Sequence, residues 1–327
     1  MAHRILIAPL DWGLGHTARC IPIIENHLRE GNEIIFAGTK EQQEFIAQHQ
    51  LIIKCIDLFG YSIHYSSFLP QWIKISFQTP KIISAIKQEK KWLTKLLSKE
   101  HFDLIISDNR YGLFNKQAKS VILSHHLAPE SPIFSRFIHK KIASYINCFD
   151  ECWIPDDEQL NYSGKLSFNK YVKIPTKKIG MISRFKTITE QVEKQYDVLI
   201  LLSGIEPQRS LLERKLLSEL KKIDLKICLI RGTTEGKIIE DKITVYHRVN
   251  SEKLNQLIHQ SKMIICRSGY TSIMELLLLT NKIILIPTPG QTEQEYLAKN
   301  MNEKFGIDYL EQQNIELINK MILKKLS

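Results

Sequence analysis

The chain has 327 residues, of which 43% are hydrophobic and 24% charged. That length is too great for one ordinary core and predicts two domains of about 150 residues each. No run of 18 or more apolar residues occurs, which excludes a membrane-spanning helix. Residues 4–10 enter a strand pattern without the basic-apolar-small order of a signal peptide, so a cytoplasmic location is expected. Six cysteines are scattered; Cys148 and Cys152 are the closest pair, and no second pair or histidine cluster completes a zinc site, so they read as structural thiols. The net charge is +10, and it is uneven: residues 1–160 carry 18 Lys+Arg against 17 Asp+Glu, the remainder 27 against 18. Anionic lipid or a phosphorylated substrate can use such an excess. No zinc finger, RNA-binding signature or helix-turn-helix accompanies it, so nucleic acid is not expected as a partner.

Apolar, β-rich runs occur at 5–9, 33–37, 51–56, 104–107, 121–124 and 151–154. A second series occupies 198–202, 226–230, 243–246, 263–266 and 282–286. Helical periodicity fills most gaps, for instance at 41–49, 209–222 and 251–260. Continuous apolar strands separated by amphipathic helices predict parallel sheets covered on both faces, and two series predict an α/β protein of two doubly wound domains. The expected division is 1–160, a linker region 161–185, and 186–327, with the last helix free to pack back on the first domain. Ligands in such folds sit at the carboxyl ends of the strands.

Three motifs fall at those ends. The first, Asp11-Trp12-Gly13-Leu14-Gly15-His16-Thr17-Ala18-Arg19, follows the first strand and opens a helix. Its glycines permit a tight turn, and the free N–H groups of the helix start favour negative charge. His16 can accept a proton from an acceptor hydroxyl, or it can cap the loop or touch phosphate. The pattern is not a dinucleotide fingerprint, because His, Thr and Ala follow Gly15. The second, Cys266-Arg267-Ser268-Gly269-Tyr270-Thr271-Ser272-Ile273-Met274-Glu275, is a strand, a Ser268-Gly269 turn that suits phosphate, and a helix. Glu275, about a turn and a half into that helix, can take both hydroxyls of a ribose or be a solvated helix charge. The third, Pro287-Thr288-Pro289-Gly290-Gln291-Thr292-Glu293-Gln294-Glu295-Tyr296, sets Gln291, Gln294 and Glu295 at a helix start, where they suit sugar hydroxyls.

Taken together, Cys-Arg-Ser-Gly, the helical Glu275, the Pro-rich loop and Gln294-Glu295-Tyr296 resemble the family-28 glycosyltransferases, in particular the members that make the lipid-linked peptidoglycan precursor. The likeness runs over most of the chain and is dense at about 260–300. It implies the GT-B fold, in which two Rossmann-like domains face each other across a cleft. It also implies inverting transfer of a hexose or N-acetylhexosamine from a UDP-sugar to a hydroxyl of a lipid-linked or glycan acceptor. By the same resemblance, Glu275 binds ribose, Gln294 and Glu295 the donor sugar, the backbone of Val249 uracil, and Arg184 the diphosphate. The first domain becomes the acceptor side and the second the nucleotide-sugar side.

The chain departs from the family at three places. The family usually has two Gln where this chain has Gln294 and Glu295. Its Gly-Gly-Ser-type loop reads Ser203-Gly204-Ile205-Glu206 here, in which Ser203 and Gly204 still offer phosphate donors and Glu206 is expected to turn away. Its His-Glu-Gln-Asn acceptor motif is replaced by Ser124-His125-His126-Leu127. His125 and Asp108 stand as alternative bases to His16, or as polar strand-end residues that satisfy loop backbones. No Asp-x-Asp occurs, in keeping with a metal-free mechanism and no cofactor; Arg184 and helix N-termini would neutralise the leaving diphosphate.

Residues 72–99 interleave Trp72, Phe77, Ile82, Ile83, Ile86, Trp92, Leu93, Leu96 and Leu97 with Lys74, Lys81, Lys87, Lys90, Lys91, Lys95 and Lys99, against Glu89 alone. This reads either as an interfacial site on the inner face of the plasma membrane or as a core-facing helix with a solvated lysine face. Two rival functions share the donor motifs: a sugar-nucleotide epimerase or hydrolase of the same fold, which consumes donor without acceptor, and a non-catalytic subunit that binds donor and recruits a partner to membranes.

Overall fold

The computed structural model describes residues 2–61, 71–129, 135–188, 192–204, 206–232, 237–240 and 242–327, with backbone alone at 71–79 and 237–240. Two compact units result, one ending at Arg184 and the other spanning Phe185–Ser327. Among the described residues no helix is long and apolar enough to cross a membrane.

In chain order the first unit holds β1 (Arg4–Pro9), α1 (Leu14–Arg29), β2 (Glu33–Gly38), α2 (Lys40–Ala47), β3 (Lys54–Asp57), α3 (Gln71–Leu97), β4 (Leu104–Asp108), β5 (Lys119–Leu123), α4 (Ser135–Ile146), β6 (Glu151–Ile154) and β7 (Thr176–Lys178). Its sheet is parallel, in the order β3-β2-β1-β4-β5-β6-β7. The central strands are buried on both faces because helices cover both: Ile5, Ile7 and Ile34 pack towards α1, Leu6, Ile35 and Ile105 towards α3. Each such side chain contributes roughly 1.5–3 kcal/mol by leaving water. Thr39 and Gln42 form a capping box that starts α2 directly after β2.

The second unit holds β8 (Tyr196–Leu201), α5 (Gln208–Leu220), β9 (Ile227–Ile230), β10 (Lys237–Glu240), β11 (Ile243–Tyr246), α6 (Ser251–His259), β12 (Ser261–Cys266), α7 (Tyr270–Leu277), β13 (Ile283–Leu285), α8 (Thr292–Phe305), β14 (Asp308–Tyr309) and α9 (Ile318–Leu326). Its order is β10-β11-β9-β8-β12-β13-β14, parallel except for β10 against β11. α8 ends at Gly306, whose φ of 64° is the left-handed cap that glycine adopts without strain.

Two details differ from the sequence pattern. Residues 161–178, read as part of a linker, belong to the first unit. Leu166 is buried there, and β7 pairs with β6 as the sheet's edge. The run 51–56 pairs only from Lys54; Leu51 and Ile53 pack on the core as loop, and Ile52 is 93% exposed. The last helix packs within its own unit, where Ile318 and Ile322 are fully buried among Leu212, Leu216 and Ile265.

Candidate functional site

Chain order reverses between β1 and β4 in the first sheet, and between β8 and β12 in the second. At such switch points the loops leaving neighbouring strands part in opposite directions and open a crevice at the carboxyl edge. The first and second motifs leave strands that flank this point, β1 and β12, and the third leaves β13, the neighbour of β12.

In the first unit, Gly13 (φ 83°) turns the chain off β1 into α1. Two residues of that helix and two strand ends then converge. His16 Nδ1 lies 3.1 Å from Asp108 Oδ1, at the end of β4. Arg19, one helical turn on, donates from Nε to Asp108 Oδ2 at 2.7 Å, and its Nη2 makes a second, very short bond to Oδ1. Arg19 Nη1 is 3.1 Å from His125 Nδ1, beyond β5. Arg19 and Asp108 are fully buried, and the His16 side chain is 18% exposed. Burial alone would raise the Asp108 carboxyl; the charges of Arg19 and then His16, with their hydrogen bonds, outweigh it and hold the group well below the usual carboxylate range. The three candidate bases of the sequence are thus one cluster, joined by Arg19, to which the sequence reading gave no role. The signal available was its spacing of three from His16, which puts both on one helix face.

His16 Nδ1 is also 2.8 Å from Arg19 Nη2. One ring nitrogen plays one role at a time. Protonated Nδ1 donates to Asp108 and leaves a lone pair on Nε2; unprotonated Nδ1 accepts from Arg19 and puts the proton on Nε2. Only the first tautomer is a base toward a ligand.

A second buried network supports this edge. Arg110 donates from Nε to the Pro9 carbonyl at 2.7 Å and from Nη1 to the Phe59 carbonyl and to Glu89 Oε1, at 3.1 and 3.0 Å. Glu89 Oε2 accepts from Tyr61 Oη and from the Gly112 amide, both at 2.9 Å. Burial raises the Glu89 carboxyl, opposed by the Arg110 charge. Glu89 therefore belongs to no solvent face: it sits on the apolar stripe of α3, with Ile82, Ile86 and Leu93. The loop side is fixed by Asp11, which accepts the Tyr61 amide at 2.9 Å. Trp12 meets the Tyr61 ring edge-on.

In the second unit Ser203 and Gly204 are exposed after β8, with Gly204 at φ 95°; Ile205 lies outside the described residues. Glu206 is occupied at the start of α5, where it accepts from the Ser210 amide and hydroxyl and pairs with Arg209. After β12, Gly269 caps α7 and has open space where a Cβ would stand. Ser268 is less available than its motif implied. It is fully buried, and its hydroxyl donates to the Gln294 carbonyl at 2.8 Å, because α8 packs directly over the turn. Glu275 is buried on α7, 5% exposed. Val249 is half-buried just before Asn250, the residue that caps α6.

Gln291 is the half-buried residue that precedes α8, and its side chain makes no cap bond. Gln294 Oε1 accepts from the Thr288 amide and Glu295 Oε1 from the Gly290 amide, both at 2.9 Å, so the proposed sugar-binding pair also shapes the loop before α8. Arg184 ends the first unit, with its guanidinium 5.4 Å over the Phe45 ring. Gly15 lies exposed in the first turn of α1. Among the described residues no cluster of His, Cys, Asp and Glu is set to hold a metal ion.

Residues 206–327 match the family model described as Glycosyltransferase family 28 C-terminal domain. No curated protein matches the chain. Of solved structures, UGT89C1 of Arabidopsis thaliana matches with a TM-score of 0.71 at 12% identity, over 100% of this chain and 90% of its own. The glycotransferase of kitacinnamycin matches at 0.68 and 12%, over 100% and 91%. MurG of Acinetobacter baumannii matches at 0.55 and 11%, over 100% and 91%. Identities this low show a shared fold: it is that of the GT-B glycosyltransferases, as the resemblance implied.

Proposed function

We propose that the chain transfers a hexose or N-acetylhexosamine from a UDP-sugar to a hydroxyl of a lipid-linked or glycan acceptor, with inversion and without a metal ion. One observation carries the reading. The family match covers residues 206–327 of the second unit, and within it Glu275, the Gly269 turn and the Gln294–Glu295 pair all leave strands at or beside the switch point. The solved Arabidopsis relative has been seen with UDP-L-rhamnose and with quercetin, which supports a UDP-sugar donor and a hydroxyl acceptor. Uracil is assigned to the Val249 backbone, ribose to Glu275, diphosphate to the Gly269 end of α7 with Ser203 and Gly204, and hexose to Gln294 and Glu295. Arg184 is assigned to the diphosphate by the same resemblance. In the first unit His16 removes the acceptor proton through Nε2 while Asp108 holds its Nδ1–H. The oxygen attacks the anomeric carbon from the face opposite the diphosphate, which leaves as UDP.

Glu275→Ala is expected to weaken UDP binding by about 1–3 kcal/mol through lost charged hydrogen bonds. Calorimetry on the folded variant tests this, and unchanged affinity would remove Glu275 from the ribose site. Turnover is expected to continue in excess chelator, because protein groups and helix ends stabilise the leaving charge. Turnover lost in chelator and restored by magnesium or manganese would overturn the metal-free mechanism.

The proposal extends to an anionic membrane surface, with a changed view of α3. Ile86 and Leu93 of α3 are buried and Trp92, Leu96 and Leu97 pack on the core, while Lys87, Lys90, Lys91 and Lys95 are exposed. The side chains of Trp72 and Phe77 lie outside the described residues. Contact through 80–99 is therefore electrostatic, without an inserted apolar face. Changing the four lysines to Gln is expected to weaken binding to anionic vesicles by about 1 kcal/mol per lysine near the surface. A wild-type chain that ignores such vesicles at low salt leaves a solvated helix face.

A further inference from the structure

Arg267 follows β12 and immediately precedes the Ser268-Gly269 turn. Its side chain is 1% exposed. Nη1 donates to the carbonyls of Ile286 and Pro287, at 3.3 and 3.1 Å, and Nη2 to the carbonyl of Gln208 at 2.9 Å. These bonds tie together the loops after β12 and β13 and the first residue of α5. They satisfy donor directions and bring no negative charge.

Among the described residues no carboxylate pairs with Arg267. The other two fully buried arginines are paired, Arg19 with Asp108 and Arg110 with Glu89. A buried cation without a counter-ion is costly, and proteins normally resolve it by pairing or by discharge. Burial does lower this guanidinium, to about 10, which still leaves it charged at neutral pH. The charge stands beneath the carboxyl edge of the second sheet, next to the positive N-terminus of α7. The two fields reinforce each other at the open space beside Gly269.

We infer that Arg267 is the fixed cation of the donor site, and that the diphosphate of the bound nucleotide is its missing counter-ion. Arg267 acts through its field and through the loops it ties, and is a positioning residue. The inference rests on the reading of the second unit as a nucleoside diphosphate-sugar site.

Titration of UDP, UMP and uridine into the full chain, as wild type, Arg267→Met and Arg267→Lys, tests it. Thermal unfolding checks that each variant is folded. Arg267→Met is expected to lose about tenfold or more in UDP affinity, the scale of one charge acting over several ångström in a partly buried site. Uridine affinity is expected to stay within a few-fold, with UMP in between. Arg267→Lys keeps the charge and is expected to keep most of the UDP-to-uridine ratio. Equal losses for UDP and uridine in Arg267→Met would show a loop scaffold only and overturn the inference, while leaving the donor-site reading intact. If Arg267→Met does not fold, Arg267→Lys decides: a preserved ratio supports the fixed charge, and a collapsed ratio overturns it. A folded wild-type chain that binds none of the three ligands removes the donor-site reading, and this inference with it.

Discussion

His16→Ala is expected to lower kcat by about 10²–10⁴, the usual worth of a general base, while UDP-sugar affinity stays within a few-fold. The split follows from location. His16 opens α1 in the first unit, whereas Glu275, Gly269, Gln294 and Glu295 belong to the second. A phosphate-contact role would reverse it, lowering donor affinity and sparing kcat at saturation. Asp108→Asn is the companion variant. It removes the charge that holds Nδ1–H and frees His16 to accept from Arg19, which favours the tautomer without a lone pair on Nε2. It should therefore share most of the loss in kcat. A pH–rate limb present in the wild type and absent in His16→Ala completes the assignment. Near-wild-type kcat in His16→Ala would pass the role to Asp108 or His125.

The largest effect on stability is expected at Arg19. Arg19→Met leaves the Asp108 carboxylate buried beside an apolar chain, and breaking such a pair costs about 3–5 kcal/mol. The dependence on pH has a definite sign. In the wild type the folded Asp108 carboxyl is held below its unfolded value, so the pair's contribution is complete above the ordinary carboxylate range and fades only as pH falls through the lower folded value. Without Arg19 the burial effect prevails and the folded carboxyl moves above its unfolded value. The variant then takes up a proton on folding, and its deficit shrinks as the solution is acidified. Urea unfolding of both proteins at pH 7 and near pH 4.5 measures this. A deficit that does not change between the two would mean that Arg19 contributes packing alone.

Much of this architecture was legible in the sequence because its central strands are continuous apolar runs such as Ile5-Leu6-Ile7-Ala8 and Met263-Ile264-Ile265-Cys266. Burial on both faces leaves that trace in any parallel sheet. Three of the four edge strands leave none: β7 reads Thr-Lys-Lys, β14 is Asp308–Tyr309, and β10 pairs antiparallel on the outer edge. Half of each edge strand's backbone faces no neighbour, and its side chains need not be apolar.

The same logic divides the sites. Glycine turns and strand-to-helix junctions are local, so Gly13, Gly269 and the residues near them could be read one by one. That His16, Asp108 and His125 share one arginine depends on strands 89 and 106 residues away from Arg19, and no local pattern carries it. Ser268 shows the converse case. Its motif points to phosphate, while the packing of α8 takes its hydroxyl for the Gln294 carbonyl.

The Tyr61–Glu89–Arg110 network has a bearing on descent as well as on structure. Its three members come from a loop, a helix and a strand end, and the loss of any one leaves a buried charge or hydroxyl without its partner. Single replacements there pass through a destabilised intermediate. Among relatives, positions 61, 89 and 110 should therefore be inherited as a set, retained together or replaced together by apolar residues of matching volume. The lysines on the opposite face of α3 share no such mutual dependence.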